Sequence, residues 1–257
     1  MVNEMIEELL KIYDNSNLNE GRPKCIFAET LIFNEGWLMR AILEKWRRFE
    51  NHSKFPFLPF PKDAKIYSEA QLYSPFRKRL LIDPQGEANT HVDGIVGNFS
   101  LNRKSGIIID NNVKYLVIFE AKMYSKLAKD ITHIKNYSQV SRTIACIINS
   151  VLNARESTNN LIYFIIMYPV DSKNIYPERY TKKFIENELE ERIEIYKKSG
   201  PPKDPKEFDV FEKHWRDVLG RMNLQFLTWE EILDEIKDKD IKRFYELCKK
   251  YNKNVEM

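Results

Sequence analysis

Apolar positions change their period along this chain, from helical to alternating and back again. Between Glu29 and Phe49, Leu31, Leu38, Ile42 and Trp46 recur at roughly helical spacing. That spacing predicts one helix, restarting at an Asn34 cap. The proline-rich stretch Phe55–Asp63 ends the pattern, and Ala64–Leu72 then has the period-two texture of a strand. His91–Leu101 and Val113–Lys122 read as two more strands, separated by the turn-rich segments Asn102–Gly106 and Asp110–Asn112. From Ile134 to Leu152 the helical period returns, with Tyr137, Val140, Ile144, Ile147 or Ile148, and Val151 on one stripe. Leu161–Tyr168 is short, continuous and β-rich, as expected of a strand buried on both faces. The order is therefore helix, three strands, helix, strand.

After a second proline-rich break at Ser199–Asp209 and around it, the pattern is mostly helical. Glu178–Lys198 and Glu207–Leu219 read as charged helices, and Met222–Leu227 as a strand expected to join the central sheet. Thr228-Trp229-Glu230-Glu231 has the form of a capping box opening the last helices. The expected organisation is α/β and a single domain over 1–257. N-terminal helices occupy 1–60, a core 64–170, and a mostly helical extension with one strand 171–257.

Composition narrows the class. A hydrophobic fraction of 43% supplies a core, and 31% charged residues supply a hydrated surface. Net charge is only +3, so a nucleic-acid surface would have to be local. Basic clusters occur at Lys45-Trp46-Arg47-Arg48 and Arg77-Lys78-Arg79, where a solvated helix face or loop is the plain alternative. Cys25, Cys146 and Cys248 are widely spaced and lack a CxxC pattern, which argues against a disulfide framework, a structural zinc and a four-cysteine cluster. The acidic, amphipathic start does not resemble a targeting peptide, and Leu161–Tyr168 is far too short to span a bilayer. A cytoplasmic protein without a membrane partner is the expectation.

The end of the third strand changes the picture. Glu120 and Lys122 follow its apolar run, two residues apart and therefore on one face. Asp93 lies in the preceding strand, and an antiparallel pairing with its turn near position 106 or 107 places it beside Glu120. Neighbouring carboxylates repel unless a cation lies between them. Asp93 and Glu120, with the Ala121 carbonyl and waters, make a hard-oxygen set suited to Mg²⁺ or Mn²⁺. A lysine beside such an ion would help deprotonate an attacking water and stabilise charge growing on a phosphate.

Asp93 followed by Glu120-Ala121-Lys122 resembles the D…(E)xK signature of the PD-(D/E)XK nuclease superfamily. The element order from about Glu29 to Tyr168 resembles its αβββαβ core. The resemblance implies a restriction-endonuclease-like fold, with a mixed central sheet flanked by helices and a helical C-terminal extension that it does not explain. It implies a Mg²⁺-dependent (endo)deoxyribonuclease in which Asp93 and Glu120 hold the metal and Lys122 activates the nucleophile. Many members also carry a metal-site glutamate on the first core helix. Glu35 and Glu29 are the candidates; Glu35 is preferred because Asn34 and Gly36 flank it, with a solvated helix glutamate as the alternative. Some relatives have a glutamine and a tyrosine one turn apart on the helix after ExK; here Gln139 is followed by Thr143, so that pattern is half present.

Further positions are open between site and structure. Gln139 and Arg142 share a helix face and would orient a phosphate, or simply be surface residues. Ser125, Lys126, His91 and Glu69 lie where they would face the same cleft. Tyr73 and Phe76 beside Arg77 and Arg79 suggest a stacking and phosphate-binding edge, with core packing as the alternative for the aromatics. The leading expectation is a metal-dependent nuclease acting on DNA, with RNA open as a substrate. A homodimer suits cleavage of both strands. The alternative is a catalytically silent nuclease-like fold that binds nucleic acid or assembles complexes.

Overall fold

The computed structural model describes residues 2–17, 29–49, 53–102, 106–111, 113–124, 134, 136–154, 161–175 and 180–253. The fold is α/β, built on a mixed five-stranded sheet with helices on both faces. Helices α1 (Val2–Asn17), α2 (Glu29–Ile32) and α3 (Glu35–Arg47) precede strands β1 (Lys65–Leu72) and β2 (Thr90–Gly97). A small hairpin, β3 (Phe99–Leu101) and β4 (Ile107–Ile109), leads to β5 (Tyr115–Ala121). Helix α4 (Gln139–Asn153) and β6 (Leu161–Tyr168) follow. The chain closes with α5 (Lys182–Lys198), α6 (Pro205–Arg221), β7 (Asn223–Thr228), α7 (Trp229–Ile236) and α8 (Lys239–Asn252).

Strand order is β1-β2-β5-β6-β7. β2 runs antiparallel to both of its neighbours, β1 and β5, whereas β5, β6 and β7 are parallel. β7 thus ties the C-terminal region into the central sheet. Gly94 pairs with Phe119 and Ile95 with Ile118, the register that sets Asp93 against Glu120. Every residue of β5 is buried, as is β6 apart from Leu161, because both faces of these strands are covered. One face packs on α4, α5 and α6, the other on α1, α3, α7 and α8.

Local sequence accounts for the helix starts. The Asn34 side chain accepts from the Trp37 amide and opens α3, so the chain restarts there. Leu38, Ile42 and Trp46 are buried, but Leu31 lies in the separate short turn of α2 and is exposed. Ser138 caps α4 by accepting from the Ser141 amide, which leaves buried Tyr137 just outside the helix. The Thr228–Glu231 capping box is formed. The apolar run expected as one strand, His91–Leu101, is broken at Gly97. A Cβ there would meet the Tyr115 carbonyl oxygen at 2.6 Å, and the chain turns off into the β3–β4 hairpin. Among the described residues no helix is long and apolar enough to cross a membrane. Cys146 and Cys248 are buried free thiols, and Cys25 lies outside the described residues.

Candidate active site

Four of the expected residues meet at the end of β5. The Ala121 amide donates to Asp93 Oδ2 at 2.6 Å, fixing the β2 carboxylate beside the β5 strand end. Lys122 Nζ lies 2.8 Å from Glu120 Oε1, and Gln139 Nε2 donates to the same oxygen at 2.7 Å. Gln139 is the first residue of α4, so the cap at Ser138 aims it at β5. Glu120 is nearly inaccessible, and the Lys122 side chain is only 12% exposed.

Burial dominates the electrostatics. It pushes Asp93 up to about 7, reinforced by the nearby Glu120 charge and opposed by the Ala121 amide and Lys122. Burial likewise raises Glu120; the attraction of Lys122 opposes it, and the charges of Glu35 and Glu69 add to the rise. For Lys122, burial works against the ammonium, but Glu120, Asp93 and Glu35 more than offset it and hold its pKa above the ordinary value. The ammonium therefore remains charged throughout the neutral range.

Glu35 occupies the first turn of α3, directly after the Asn34 cap, and its charge reaches Glu120 and Lys122. Glu69 sits in β1 with φ +57°, and its charge acts on both Asp93 and Glu120. Its carboxylate is 3.4 Å from Arg40, whose guanidinium also donates to Ser68 Oγ. Glu29 begins the separate turn of α2.

Two buried carboxylates with raised pKa values are hard oxygen donors whose mutual repulsion a divalent cation would relieve. The chemistry of Asp93 and Glu120 thus fits Mg²⁺ or Mn²⁺. As arranged, however, no group of three or more His, Cys, Asp or Glu side chains among the described residues converges closely enough to hold a metal ion. Glu35 acts on Glu120 and Lys122 by charge without completing such a group.

Other expectations resolve differently. Arg142 does not work with Gln139 on a phosphate: it donates to the carbonyl of Ala88 at 2.8 Å and lies 3.6 Å from Glu87. The face of α4 expected to be solvated is covered, with Thr143, Asn149 and Ser150 buried, because α5 and α6 pack there. Phe76 is core rather than a stacking edge, its ring between Tyr137, Tyr196, Phe208 and Phe211. Arg77 pairs with Glu207 at 2.7 Å and Arg79 with Asp83 at 3.1 Å, while Tyr73 Oη accepts from Asn102. Those arginines are held by partners distant in sequence or across a tight loop. In the other basic cluster, Trp46 is buried and Lys45 pairs with Asp238. His91 is exposed, across the ladder from Gln71. Ser125 and Lys126 lie outside the described residues.

Sequence reasoning missed Trp229. Its indole Nε1 donates to the Lys122 carbonyl at 2.8 Å, while the Lys122 amide donates to the Met167 carbonyl at 2.8 Å. The backbone of the lysine is pinned from both sides. The only sequence signal was a tryptophan at the start of a capped helix, since a buried indole N–H needs a partner. No family model matches the chain, and no curated protein or solved structure matches it.

Proposed function

We propose that this protein is a metal-dependent nuclease that hydrolyses phosphodiester bonds in DNA, with a restriction-endonuclease-like core. The observation that carries the reading is the joining of Asp93 to Ala121 beside the Glu120–Lys122 pair, at one strand end and under Gln139. The sequence of α3, β1, β2, β5, α4 and β6 supports the same core.

In this reading Asp93 and Glu120 would hold a Mg²⁺ ion, and Glu35, whose charge reaches Glu120 and Lys122, would buttress the site electrostatically. The ion would neutralise the carboxylates, polarise a phosphoryl oxygen and acidify a bound water. Lys122, kept protonated by its acidic neighbours, supplies a fixed positive charge for the phosphorane-like oxygens and orients the attacking water. A raised rather than lowered pKa makes it an electrostatic donor instead of a general base. Gln139 fixes the Glu120 carboxylate so that it does not rotate when its charge is compensated.

A second reading, a silent nuclease-like module that binds nucleic acid, is favoured by one observation: Glu120 is already satisfied by Lys122 and Gln139, and no third ligand among the described residues converges. Incubation with supercoiled and linear DNA in Mg²⁺ or Mn²⁺ separates the two. Cleavage by the wild type and loss of it in Glu120→Ala and Lys122→Ala is the expected result. DNA binding without cleavage in any divalent ion would replace the first reading by the second.

A further inference from the structure

Helix α5 lies in the C-terminal region, yet two of its charged residues are buried against segments that lead into the candidate active site. Glu188 and Arg192 are four residues apart, on one face of the helix, and are only 9% and 1% exposed. Arg192 has a charge partner, donating to Glu87 at 2.9 Å. Glu188 meets the start of α4 instead. Its Oε2 accepts from the Ser138 amide at 3.0 Å, from Ser138 Oγ at 2.6 Å and from Ser141 Oγ at 2.6 Å. None of these partners is a cation.

A buried carboxylate costs several kcal/mol unless hydrogen bonds or opposite charge offset it. Here three donors and the positive end of the α4 dipole do so. The helix does not need Glu188 in order to begin, because Ser138 already caps it by accepting from the Ser141 amide at 3.2 Å. What the carboxylate adds is place. Ties at Ser138 and Ser141, three residues apart, join α4 to α5 and hold α4 against rotation about its own axis.

Gln139 lies between the two tied residues, and its Nε2 reaches Glu120 Oε1 at 2.7 Å. A turn or slip of α4 that lengthens this bond beyond about 3.2 Å loses it. The same stretch of α4 is braced a second time by Arg142, which donates to the Ala88 carbonyl at 2.8 Å. Arg192 fixes Glu87, the neighbour of Ala88, so α5 holds both segments that meet there.

We propose that Glu188 is a positioning residue for the candidate active site: its carboxylate sets the start of α4 so that the Gln139 amide stays on Glu120. The effect on this contact is independent of the reaction. The effect on catalysis rests on the nuclease reading, in which Gln139 keeps the Glu120 carboxylate oriented. The C-terminal region then acts on the site at two points, through Trp229 at Lys122 and through Glu188 at Gln139.

The test uses the full chain carrying Glu188→Ala, Glu188→Gln or Ser141→Ala, each alone and with Gln139→Ala. The ¹H–¹⁵N resonances of the Gln139 side-chain amide are identified by their disappearance in Gln139→Ala. In the wild type they should stand apart from those of solvent-exposed glutamines, and in Glu188→Ala they should move to join them. Glu188→Gln keeps a carbonyl acceptor for Ser138 and should fall between the two. For DNA cleavage in Mg²⁺, kcat should drop roughly 10–100-fold in Glu188→Ala with KM little changed, the range for groups that orient a metal ligand. In the Gln139→Ala background the same change should add little, because its effect passes through Gln139.

Unmoved Gln139 resonances in Glu188→Ala overturn the proposal, as does a kcat loss of equal size with and without Gln139; Glu188 would then serve helix packing alone. If Glu188→Ala does not fold, Ser141→Ala decides, since it removes one donor and leaves the backbone cap in place. A shift of the Gln139 resonances toward the exposed group supports positioning, and no shift overturns it. If the wild type cleaves no DNA, the nuclease reading falls while the resonances still decide the role of Glu188.

Discussion

Glu69 lies directly across the β1–β2 ladder from Asp93, at the step where the ladder skips. Ser68 pairs with Gly94 and Ala70 with Val92, but Glu69 has φ +57° and makes no ladder pair. On either side of this step the strands exchange faces. Ile66 and Val96 pack on the α3 side of the sheet, whereas Ala70, Leu72 and Val92 pack on the α4 side. A regular strand would keep the even-numbered residues together. The crossover leaves both acidic residues at the break, where Glu69 raises the Asp93 pKa.

A left-handed conformation costs a non-glycine residue roughly 1–2 kcal/mol, part of which glycine gives back as unfolded-state entropy. Glu69→Gly should therefore stabilise the protein by up to about 1 kcal/mol in urea unfolding. The lost ion pair to Arg40 is largely exposed and contributes little. A destabilisation of that size or more would show that the Glu69 carboxylate supports the fold.

The Glu120–Lys122 pair predicts a non-additive double mutant. Lys122→Met leaves Glu120 buried without its cation, and breaking one half of a buried pair costs about 3–5 kcal/mol. Adding Glu120→Gln removes the charge that was left behind, so the double variant should recover most of that stability. Denaturation of the three variants at pH 8 measures the coupling. Simple addition of the two single effects would mean the pair is not closed in solution.

Particular residues show what the sequence carried. The register of Asp93 on Glu120 was legible because alternation fixes which residues share a face, and one turn position then sets the pairing. The Asn34 restart was legible because an N-cap acts within one turn. What could not be read depended on distant partners. Phe76 was ambiguous until α5 and α6 closed over it, and Arg142 until the return limb of the β1–β2 loop arrived beside it. Glu69 gave no sign of its left-handed backbone, since glutamate has no preference for that region.

The raised Asp93 pKa predicts a pH dependence of stability with a definite sign. Between the ordinary value of 3.8 and about 7, the folded state binds more protons at this residue than the unfolded chain. Stability without metal should then fall as pH rises through that window. Asp93→Asn keeps an acceptor for the Ala121 amide but cannot ionise, so it should flatten this part of the profile. At pH 8 it should be more stable than the wild type by about 1 kcal/mol or more. Thermal unfolding from pH 4 to 8 in EDTA checks this, and Mg²⁺ should restore stability to the wild type alone. A wild type that gains stability over the same range would place Asp93 in a better-solvated or better-paired setting.

Trp229 offers a way to separate positioning from chemistry. Its indole donates to the Lys122 carbonyl, while the amide N–H of the same residue donates to the Met167 carbonyl in β6. Trp229→Phe keeps most of the apolar contact of a fully buried ring but removes the only described donor to that carbonyl. An unsatisfied buried carbonyl costs about 1–3 kcal/mol, so a drop of that size is expected in urea unfolding. If Lys122 serves a phosphodiester reaction, the freed backbone should also lower kcat while leaving DNA affinity nearly unchanged, because the ammonium acts at the reacting phosphate and not along the duplex. Trp229→His, which can still donate from its ring, should recover part of kcat. Equal losses in the phenylalanine and histidine variants would assign Trp229 to core packing alone.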